Sequence, residues 1–217
     1  MKGSSTFSPV DPLLVKGWLT ARSLARGLPP PVDDHGGWRV DTNLPAETRR
    51  FVFARAEEPL RALAESIVTP LIFLKLCASA EAMRALLPAR WQIQPGGYLM
   101  TCEGQPAAPT RPGSEYQVAV SRSGAVTAVR IFTGDGELAA GGFAAEADGL
   151  FVYDRIVTEP AHRRRGLGIV VMRTLGMERR HADSKQVLVA TEDGKALYSA
   201  LGWAVRSPYS SAFIPDL

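Results

Sequence analysis

The C-terminal half of the chain carries a pattern that few folds accommodate. Four strand candidates follow one another as YQVAVS, AVTAVRIF, ELAAGGFAAE and LFVYDRIVT, and turns at Gly124, Gly136 and Gly149 separate them. From Leu167 onward the hydrophobic period changes from two residues to 3.6, which indicates an amphipathic helix. The strand QVLVAT, the helix DGKALYSALG ending at Gly202, and the strands WAVRS and SAFI follow. This order predicts an α/β fold around a mixed sheet.

The N-terminal half is predicted to be a second, less regular α/β region. Helices are expected over residues 12–26, in EEPLRALAES and after a Ser79 cap. Strands are expected in RRFVFA, LIFLKLCA, WQIQ and YLMTC, and a loop over residues 27–37. Residues 103–114 are rich in proline and glycine and predict a linker. We therefore expect two regions, residues 1–110 and residues 115–217.

Composition limits the classes of protein that the chain can belong to. It has 217 residues, of which 46% are hydrophobic and 22% charged, as in a globular protein with a real core. The 25 basic residues are nearly all arginine, which leaves phosphate recognition open, but a net charge of +3 does not argue for a nucleic-acid surface. No apolar run is long enough to span a membrane. Neither nucleic acid nor a membrane is therefore expected as a partner.

The cysteines and the N-terminus bear on the compartment. Cys77 and Cys102 do not form a CxxC pair, so a reducing cytoplasm is the expected location. The first residues contain no apolar segment of the kind found in signal peptides.

The segment EPAHRRRGLGIVV places three arginines directly before a glycine-rich helix start. Free N–H groups and partial positive charge mark a helix N-terminus, and glycines let the backbone close around an anion. The backbone of Gly166, Leu167 and Gly168 can therefore bind an anion, and Arg163–Arg165 add charge. The segment predicts a phosphate or pyrophosphate site that follows the strand over residues 150–158.

Two other interpretations of this segment stay open from its residues alone. One is a solvated basic loop whose glycines allow tight packing. The other is a dinucleotide-binding fingerprint, with Glu192 or Asp193 as the ribose contact. In that fingerprint, however, a third glycine would stand at Val171, and the residues from Glu159 onward separate the first glycine from the strand.

Two motifs together resemble the GCN5-related N-acetyltransferase (GNAT) superfamily. The run Arg163 to Gly168 is similar to the family's acyl-CoA-binding motif Arg/Gln-x-x-Gly-x-Gly/Ala. The stretch GKALYSALGW resembles the family's Ala-x-x-Leu-Tyr-x-x-x-Gly-Phe ending, with Tyr198 and Gly202 in register. The resemblance covers Tyr116 to the C-terminus and implies a GNAT-like acyl-CoA N-acyltransferase fold with an additional N-terminal α/β region.

The resemblance implies transfer of an acetyl group from acetyl-CoA to a primary amine of a small-molecule or peptide acceptor, without a metal. The cofactor-binding residues would be the pyrophosphate loop and a strand that pairs with the pantetheine arm. Those residues are Arg163, Arg164, Arg165, Gly166, Leu167 and Gly168 of the loop, and Ile156, Val157 and Thr158 of the strand. Thr191 stands where the family often has an asparagine that contacts pantetheine, and a hydroxyl replaces only part of that amide's hydrogen bonding.

The resemblance also implies catalytic roles. Tyr198 matches the tyrosine that donates a proton to the departing thiolate. From the residues themselves, Asp154 is the leading candidate for a general base, because a carboxylate is unusual within a strand, and an ion pair with an arginine is its alternative role. Weaker candidates are Glu146, Glu192, His162 and His181, and a water relay needs no dedicated base.

The predicted C-terminal region lacks a part of the family's architecture. Members normally have two helices between the first two strands, which cover the acceptor site, whereas here only Arg122, Ser123 and Gly124 separate the strands. We expect residues 1–110 to supply this cover, either as a separate region or as a degenerate copy of the fold. The surface is the expected place for the polar candidates Arg22, Arg26, Asp33, Asp34, Arg49 and Arg50.

Other function classes remain as alternatives, namely a dinucleotide-dependent oxidoreductase and a non-catalytic CoA-binding module. The oligomeric state is open, with a homodimer as one option.

Overall fold

The computed structural model describes residues 7–104 and 111–216, so the predicted linker lies partly outside the described residues. The helices of this part are α1 Pro12–Ala25, α2 Glu58–Ser66, α3 Ala80–Arg84, α4 Leu167–Met177 and α5 Glu192–Ala200. The strands are β1 Val32–Asp34, β2 Gly37–Leu44, β3 Glu47–Phe53, β4 Ile72–Leu76, β5 Gln92–Ile93, β6 Gly97–Cys102, β7 Tyr116–Ser123, β8 Val126–Thr133, β9 Leu138–Ala147, β10 Leu150–Thr158, β11 Lys185–Thr191 and β12 Ala204–Phe213.

All of these strands belong to one sheet. Its order is β1-β2-β3-β4-β12-β6-β11-β10-β9-β8-β7, and β5 pairs with β12 beside this path. Within the described residues, only the pairs β3/β4 and β10/β11 are parallel. The predicted mixed sheet is confirmed. The run of parallel strands that builds a dinucleotide-binding sheet is not formed by the described strands.

The helices cover the two faces of the sheet unequally. Helix α1 packs on one face, where Trp18 and Leu19 share a buried cluster with Val152, Val187 and Tyr209. Helices α4 and α5 cover part of the other face, in a cluster with Phe151 and Leu188. Helices α2 and α3 cover the rest of that second face. Because side chains of β10 alternate, Val152 and Asp154 lie on the α1 face and Phe151 and Tyr153 on the α4 face.

The two halves of the chain have a similar order of elements, and their strands follow one another in mirrored order about the centre of the sheet. Each half contains a parallel pair linked by a helix, β3-α2-β4 in one and β10-α4-β11 in the other, and each continues through a second helix to a last strand. The last strand of the N-terminal half, β6, lies between β11 and β12, whereas β12 lies between β4 and β6. Each half therefore places its last strand beside the other half.

Local sequence signals fix several element ends, of which the Ser79 cap and the Gly202 helix end were expected. Asp11 caps α1 by accepting a hydrogen bond from the Leu13 N–H at 2.9 Å, and Ser79 caps α3 by accepting one from Ala82. Gly202 follows α5 with a φ of +85°, the left-handed conformation of a helix-ending glycine.

Two expectations about elements are wrong. Residues 27–37 are not wholly a loop, because β1 and the start of β2 form a hairpin there, with His35 and Gly36 both at positive φ. The strands WAVRS and SAFI are one strand, β12, that runs through Pro208. At Pro208 the strand pairs with β6, and its pairing with β4 begins only at Ser210, which makes the missing N–H tolerable.

Candidate active site

The parallel strands β10 and β11 separate after three residue pairs. They pair from Leu150 with Lys185 to Val152 with Val187, and no pairing follows. Strand β10 continues beside β9 to Thr158, with a register shift between Asp154 and Val157 and a φ of +53° at Arg155. The edge of β10 that faces β11 is therefore open over its last residues.

A cleft of about 1170 Å³ occupies this opening. Residues of both faces of the sheet line it: Leu197 and Tyr198 come from the α4 and α5 side, and Trp18 and Arg22 from the α1 side. The cleft therefore passes through the sheet between β10 and β11.

The predicted pyrophosphate loop forms one wall of the cleft. Gly166 is the N-cap of α4 at a φ of +77°, and no side chain caps this helix. The side chain of Leu167 is buried below the loop, and Gly166, Leu167 and Gly168 all line the cleft. A Cβ on Gly168 would lie 3.2 Å from a methyl of Leu197, so the helix approaches α5 closely here.

The side chains of the three arginines of the loop do not all point into the cleft. Arg163 and Arg164 are exposed and line the cleft, and the Arg163 Nε donates to the Thr158 carbonyl at 3.3 Å. Arg165 does not line the cleft, because its guanidinium donates to the hydroxyl of Tyr116 at 3.2 Å.

Tyr198 lies in the cleft wall with only 7% of its surface exposed. Burial raises the pKa of its phenol to about 12, so the group stays protonated through the neutral range. Its hydroxyl makes no hydrogen bond to another described residue. The ring is packed beside Trp203, with 6.2 Å between ring centroids. The phenol is thus held in the cleft wall by its packing, and no other described residue accepts its proton.

The remaining predicted contacts of the cofactor also line the cleft. Ile156, Val157 and Thr158 lie on the open edge of β10. Thr191 lies across from them and caps α5, since its Oγ1 accepts from the Gly194 N–H at 3.2 Å. Its hydroxyl retains one proton for a further acceptor.

Asp154 lies in the cleft but is held by arginines. Arg26 binds both carboxylate oxygens, with Nε to Oδ2 at 2.7 Å and a second bond to Oδ1 at 2.8 Å. The Nε atoms of Arg155 and Arg22 lie 3.2 Å and 3.6 Å from the carboxylate. Three guanidinium groups thus surround the carboxylate oxygens that a general base would need to accept a proton. The geometry favours the ion-pair role, and the role of Asp154 as a general base stays a prediction.

Most of the weaker candidates for a general base form hydrogen bonds outside the cleft. The carboxylate of Glu146 accepts from Ser184 and from His181, and His162 is within hydrogen-bond distance of the Tyr116 hydroxyl. None of Glu146, His162 and His181 lines the cleft, whereas Glu192 does.

The sequence interpretation expected residues 1–110 to cover the acceptor site, but it did not identify the residues of α1 that line the cleft. Arg22 and Arg26 were expected on the surface, but both line the cleft together with Lys75 of β4. Trp18, Arg22 and Arg26 recur at intervals of four residues, which puts them on one helix face. This spacing is the signal that could have found them.

The other four polar candidates lie outside the cleft. Asp33 pairs with Lys16, Asp34 with Arg39, and Arg49 with Asp41. The expectation that Arg50 lies on the surface is wrong, because its side chain is buried and pairs with Glu47.

No metal-binding group of three or more His, Cys, Asp or Glu side chains occurs in residues 7–104 and 111–216. None of the helices in these ranges is long and apolar enough to cross a membrane.

Comparisons with solved structures place this geometry in a known architecture. No protein-family model and no curated protein sequence matches the chain. A GCN5-related N-acetyltransferase from Kribbella flavida superposes with a TM-score of 0.61 at 18% identity, covering 90% of this chain and 93% of that one. A GNAT-family acetyltransferase from Novosphingobium aromaticivorans gives a TM-score of 0.60 at 17% identity, covering 94% and 98%.

A tandem GNAT protein from the clavulanic acid biosynthesis pathway is also similar, with a TM-score of 0.53 and 14% identity over 72% of this chain and 68% of that one. At these identities the likeness establishes the fold and not the reaction. The splayed parallel strands, the glycine-led helix after them and these superpositions together show that the chain adopts the fold of the GCN5-related N-acetyltransferases.

Proposed function

We propose that the protein is an N-acetyltransferase that transfers an acetyl group from acetyl-CoA to a primary amine. One observation carries the proposal: the open edge of β10 leads directly to an uncapped helix N-terminus beside two exposed arginines. An extended ligand with a diphosphate at one end fits this arrangement, because the strand edge offers backbone hydrogen bonds and the helix start offers amides to an anion.

The residues of the chain divide the binding of acetyl-CoA between them. The amides of Gly166, Leu167 and Gly168 would hold the pyrophosphate, with Arg163 and Arg164 as further charge. The backbone of Ile156–Thr158 would align the pantetheine arm, and Thr191 would contact it from the other side. Arg165 would support the loop through Tyr116.

Acetyl-CoA supplies an activated thioester when it is bound. In the reaction, the acceptor nitrogen forms a bond to the acetyl carbon while the carbon–sulfur bond breaks. Tyr198 donates its phenolic proton to the departing sulfur and regains one from solvent. The proton of the acceptor nitrogen leaves through water or through Asp154.

Thermal stabilisation of the purified protein by acetyl-CoA, CoA, NAD⁺ and NADPH tests the proposal. A ligand at 100 times its Kd adds about 2.7 kcal/mol to the free energy of unfolding. We expect a shift with both CoA species and none with the nicotinamide nucleotides. A shift with NAD⁺ or NADPH alone would make the oxidoreductase alternative correct.

A thiol-release assay with amine acceptors then separates the enzyme from a non-catalytic CoA-binding module. The module would bind CoA and release no thiol with any amine. A cytoplasmic location remains a prediction from the two cysteines, which are both free.

A further inference from the structure

The part of the cleft on the α1 face is lined by cationic side chains. Arg22 and Arg26 reach it from α1, and Lys75 reaches it from β4. The pyrophosphate loop belongs to the α4 side, so these cations lie across the sheet from it. They are therefore a separate group, which we call the α1 cation cluster.

Each member of the α1 cation cluster is held in place by its neighbours. Arg22 lies over the ring of Trp18, at 5.5 Å from the ring centroid, and only 16% of its side chain is exposed. Lys75 donates to the Ser211 hydroxyl at 3.3 Å and lies 5.0 Å from the centroid of Phe73. Arg26 is fixed by its two bonds to Asp154.

The carboxylates near the cluster do not balance its charge. Asp154 is shared by Arg22, Arg26 and Arg155. Glu47 is bound by the buried Arg50, one of whose terminal nitrogens has no hydrogen-bond partner among the described residues. The three cations of the cluster and the neighbouring Arg155 and Arg50 thus share only two carboxylates, those of Asp154 and Glu47.

The other acidic residues of the cleft do not change this excess. Glu192 and Asp193 are in the first turn of α5, on the other side of the sheet. Glu192 accepts a hydrogen bond from Tyr98 and pairs with Lys195.

Burial and mutual repulsion destabilise the protonated forms of the cations in the cluster. Burial lowers the pKa of Lys75 to about 8, and the nearby Arg22 and Arg26 contribute to the shift. Burial also lowers the pKa of Arg22, followed by the charge of Arg26. A bound anion would relieve both effects.

We propose that the α1 cation cluster binds a carboxylate or phosphate group of the acceptor, so that the acceptor is a small amine that also carries a negative charge. This assignment rests on the proposed function, since it concerns the second substrate of the same site. Trp18 and Tyr209, whose rings are 5.5 Å apart, form the apolar wall of this part of the cleft. A polycationic amine would be repelled by the cluster.

Matched pairs of amines test the assignment in the thiol-release assay with acetyl-CoA. The pairs are β-alanine with propylamine, L-glutamate with L-glutamine, and O-phosphoethanolamine with ethanolamine, and spermidine represents the polycations. We expect kcat/KM to be about 10- to 100-fold higher for the more anionic member of at least one pair, because a charge-assisted hydrogen bond contributes that much. The carboxylate and phosphate pairs distinguish the two anions. Equal or better turnover of the less anionic member in every pair, or better turnover of spermidine than of every anionic amine, would overturn the assignment.

Variants connect the preference to the cluster. Arg22→Gln and Lys75→Gln should each lower kcat/KM for the anionic amine about tenfold or more and leave the KM for acetyl-CoA unchanged. Arg61→Gln, on α2 and outside the cleft, is the matched control that should change neither value. Thermal unfolding of each variant with acetyl-CoA establishes that it is folded. An unchanged preference in folded Arg22→Gln and Lys75→Gln would overturn the assignment.

The proposed function and the acceptor assignment fail in different ways. If acetyl-CoA stabilises the protein but the less anionic member of every pair is preferred, the assignment alone is wrong. If no amine of the panel turns over, the same pairs are compared by thermal stabilisation in the presence of CoA, and equal stabilisation within every pair overturns the assignment. If acetyl-CoA does not stabilise the protein, the proposed function is wrong and the acceptor assignment falls with it.

Discussion

At the scale of single residues, the hydroxyl of Tyr198 is the group on which the proposed chemistry depends most directly. We expect Tyr198→Phe to lower kcat by about 100-fold, because general acid catalysis contributes about 10²–10⁴-fold. The KM for acetyl-CoA should change little, since the ring and its packing against Trp203 remain. Steady-state kinetics by thiol release measures both values.

Tyr98→Phe is the matched control for Tyr198→Phe. It also removes one hydroxyl, which binds Glu192 and is not part of the cleft wall. Because the pKa of Tyr198 is raised to about 12, the wild-type enzyme should show no loss of kcat from this group up to about pH 11. A wild-type rate in Tyr198→Phe would show that sulfur is protonated by solvent.

Lys75 couples the stability of the fold to pH. Its pKa is lowered from 10.5 to about 8 in the folded protein, so the folded state binds the proton less tightly than the unfolded state. Below pH 8 both states are protonated and the folded state bears the full cost of the buried charge. Between pH 8 and 10.5 the folded state loses the proton first, and stability from this group rises with pH.

Lys75→Met should therefore raise the free energy of unfolding at pH 7 by about 1–3 kcal/mol, and the gain should disappear near pH 10.5. Urea titrations at pH 7, 8, 9 and 10 measure the difference. Lys16→Met replaces a more exposed lysine of α1 and should give a difference that is small and independent of pH. A stability gain that persists at high pH would mean that packing of the methionine, and not charge, is responsible.

The residues of the site differ in how well the sequence predicts them. Tyr198 and the loop at Gly166 could be predicted because each stands in a contiguous motif. The positions of Arg22, Arg26 and Lys75 in the cleft could not be predicted, since the sequence does not distinguish a surface cation from one that lines a cleft. Only the fold brings α1 and β4 to the same cleft. The arginines around Asp154 show the same limit, because the partner Arg26 is distant in sequence.

At the scale of elements, Gly166 at the start of α4 both allows the backbone turn before the helix and forms part of the cleft wall. Gly166 has a φ of +77°, which an alanine adopts only with strain, and its backbone forms part of the cleft wall. Gly166→Ala should therefore lower the free energy of unfolding by about 1 kcal/mol and weaken acetyl-CoA binding about tenfold. Urea unfolding and calorimetric titration measure the two effects.

Gly124→Ala separates these two effects. Gly124 lies in the turn between β7 and β8 at a φ of +57°, and like Gly166 it has no heavy atom within 4 Å of an added Cβ. We expect a similar loss of stability and an unchanged affinity for acetyl-CoA. If both variants bind acetyl-CoA as the wild type does, the helix start is not the pyrophosphate site.

Sequence patterns predict elements best where one period holds over many residues. Strand β10 was predicted at Leu150–Thr158 and α4 close to its observed bounds, because alternation and the 3.6-residue period are both long there. The hairpin of β1 and β2 was missed because prolines and acidic residues precede its two-residue turn. The separation of β10 and β11 has no local signal in the sequence. The two strands stop pairing after Val152, and the register shift of β10 against β9 follows between Asp154 and Val157.

At the scale of the whole molecule, the exchange of last strands joins the two halves. Strand β6 pairs with β11 over six residues, from Gly97 with Thr191 to Cys102 with Gln186. The C-terminal half on its own, without β6, would therefore leave β11 with an unpaired edge. The sequence could not predict this exchange, because β6 and β12 have similar short strand patterns and either could pair within its own half. The division into two domains stays a prediction that the exchange makes testable.

The two halves also differ where their similar order of elements would predict a second site. Strands β3 and β4 stay paired over all five positions from Arg49 with Ile72 to Phe53 with Leu76, whereas β10 and β11 separate after three. The N-terminal pair therefore leaves no opening through the sheet, and one acetyl-CoA per chain is the stoichiometry expected from the geometry.

A protease site inserted between residues 105 and 110 tests whether the halves are independent domains. After cleavage we expect the two fragments to elute together in size exclusion and to unfold in one urea transition, because the β6–β11 and β12–β4 ladders hold them without the peptide link. The uncut form of the same variant is the control, and it should unfold in one transition at a higher urea concentration, since cleavage adds the entropy of association. Fragments that separate in buffer, or two transitions in the uncut form, would mean that the halves fold as separate domains and that the exchanged strands contribute little to stability.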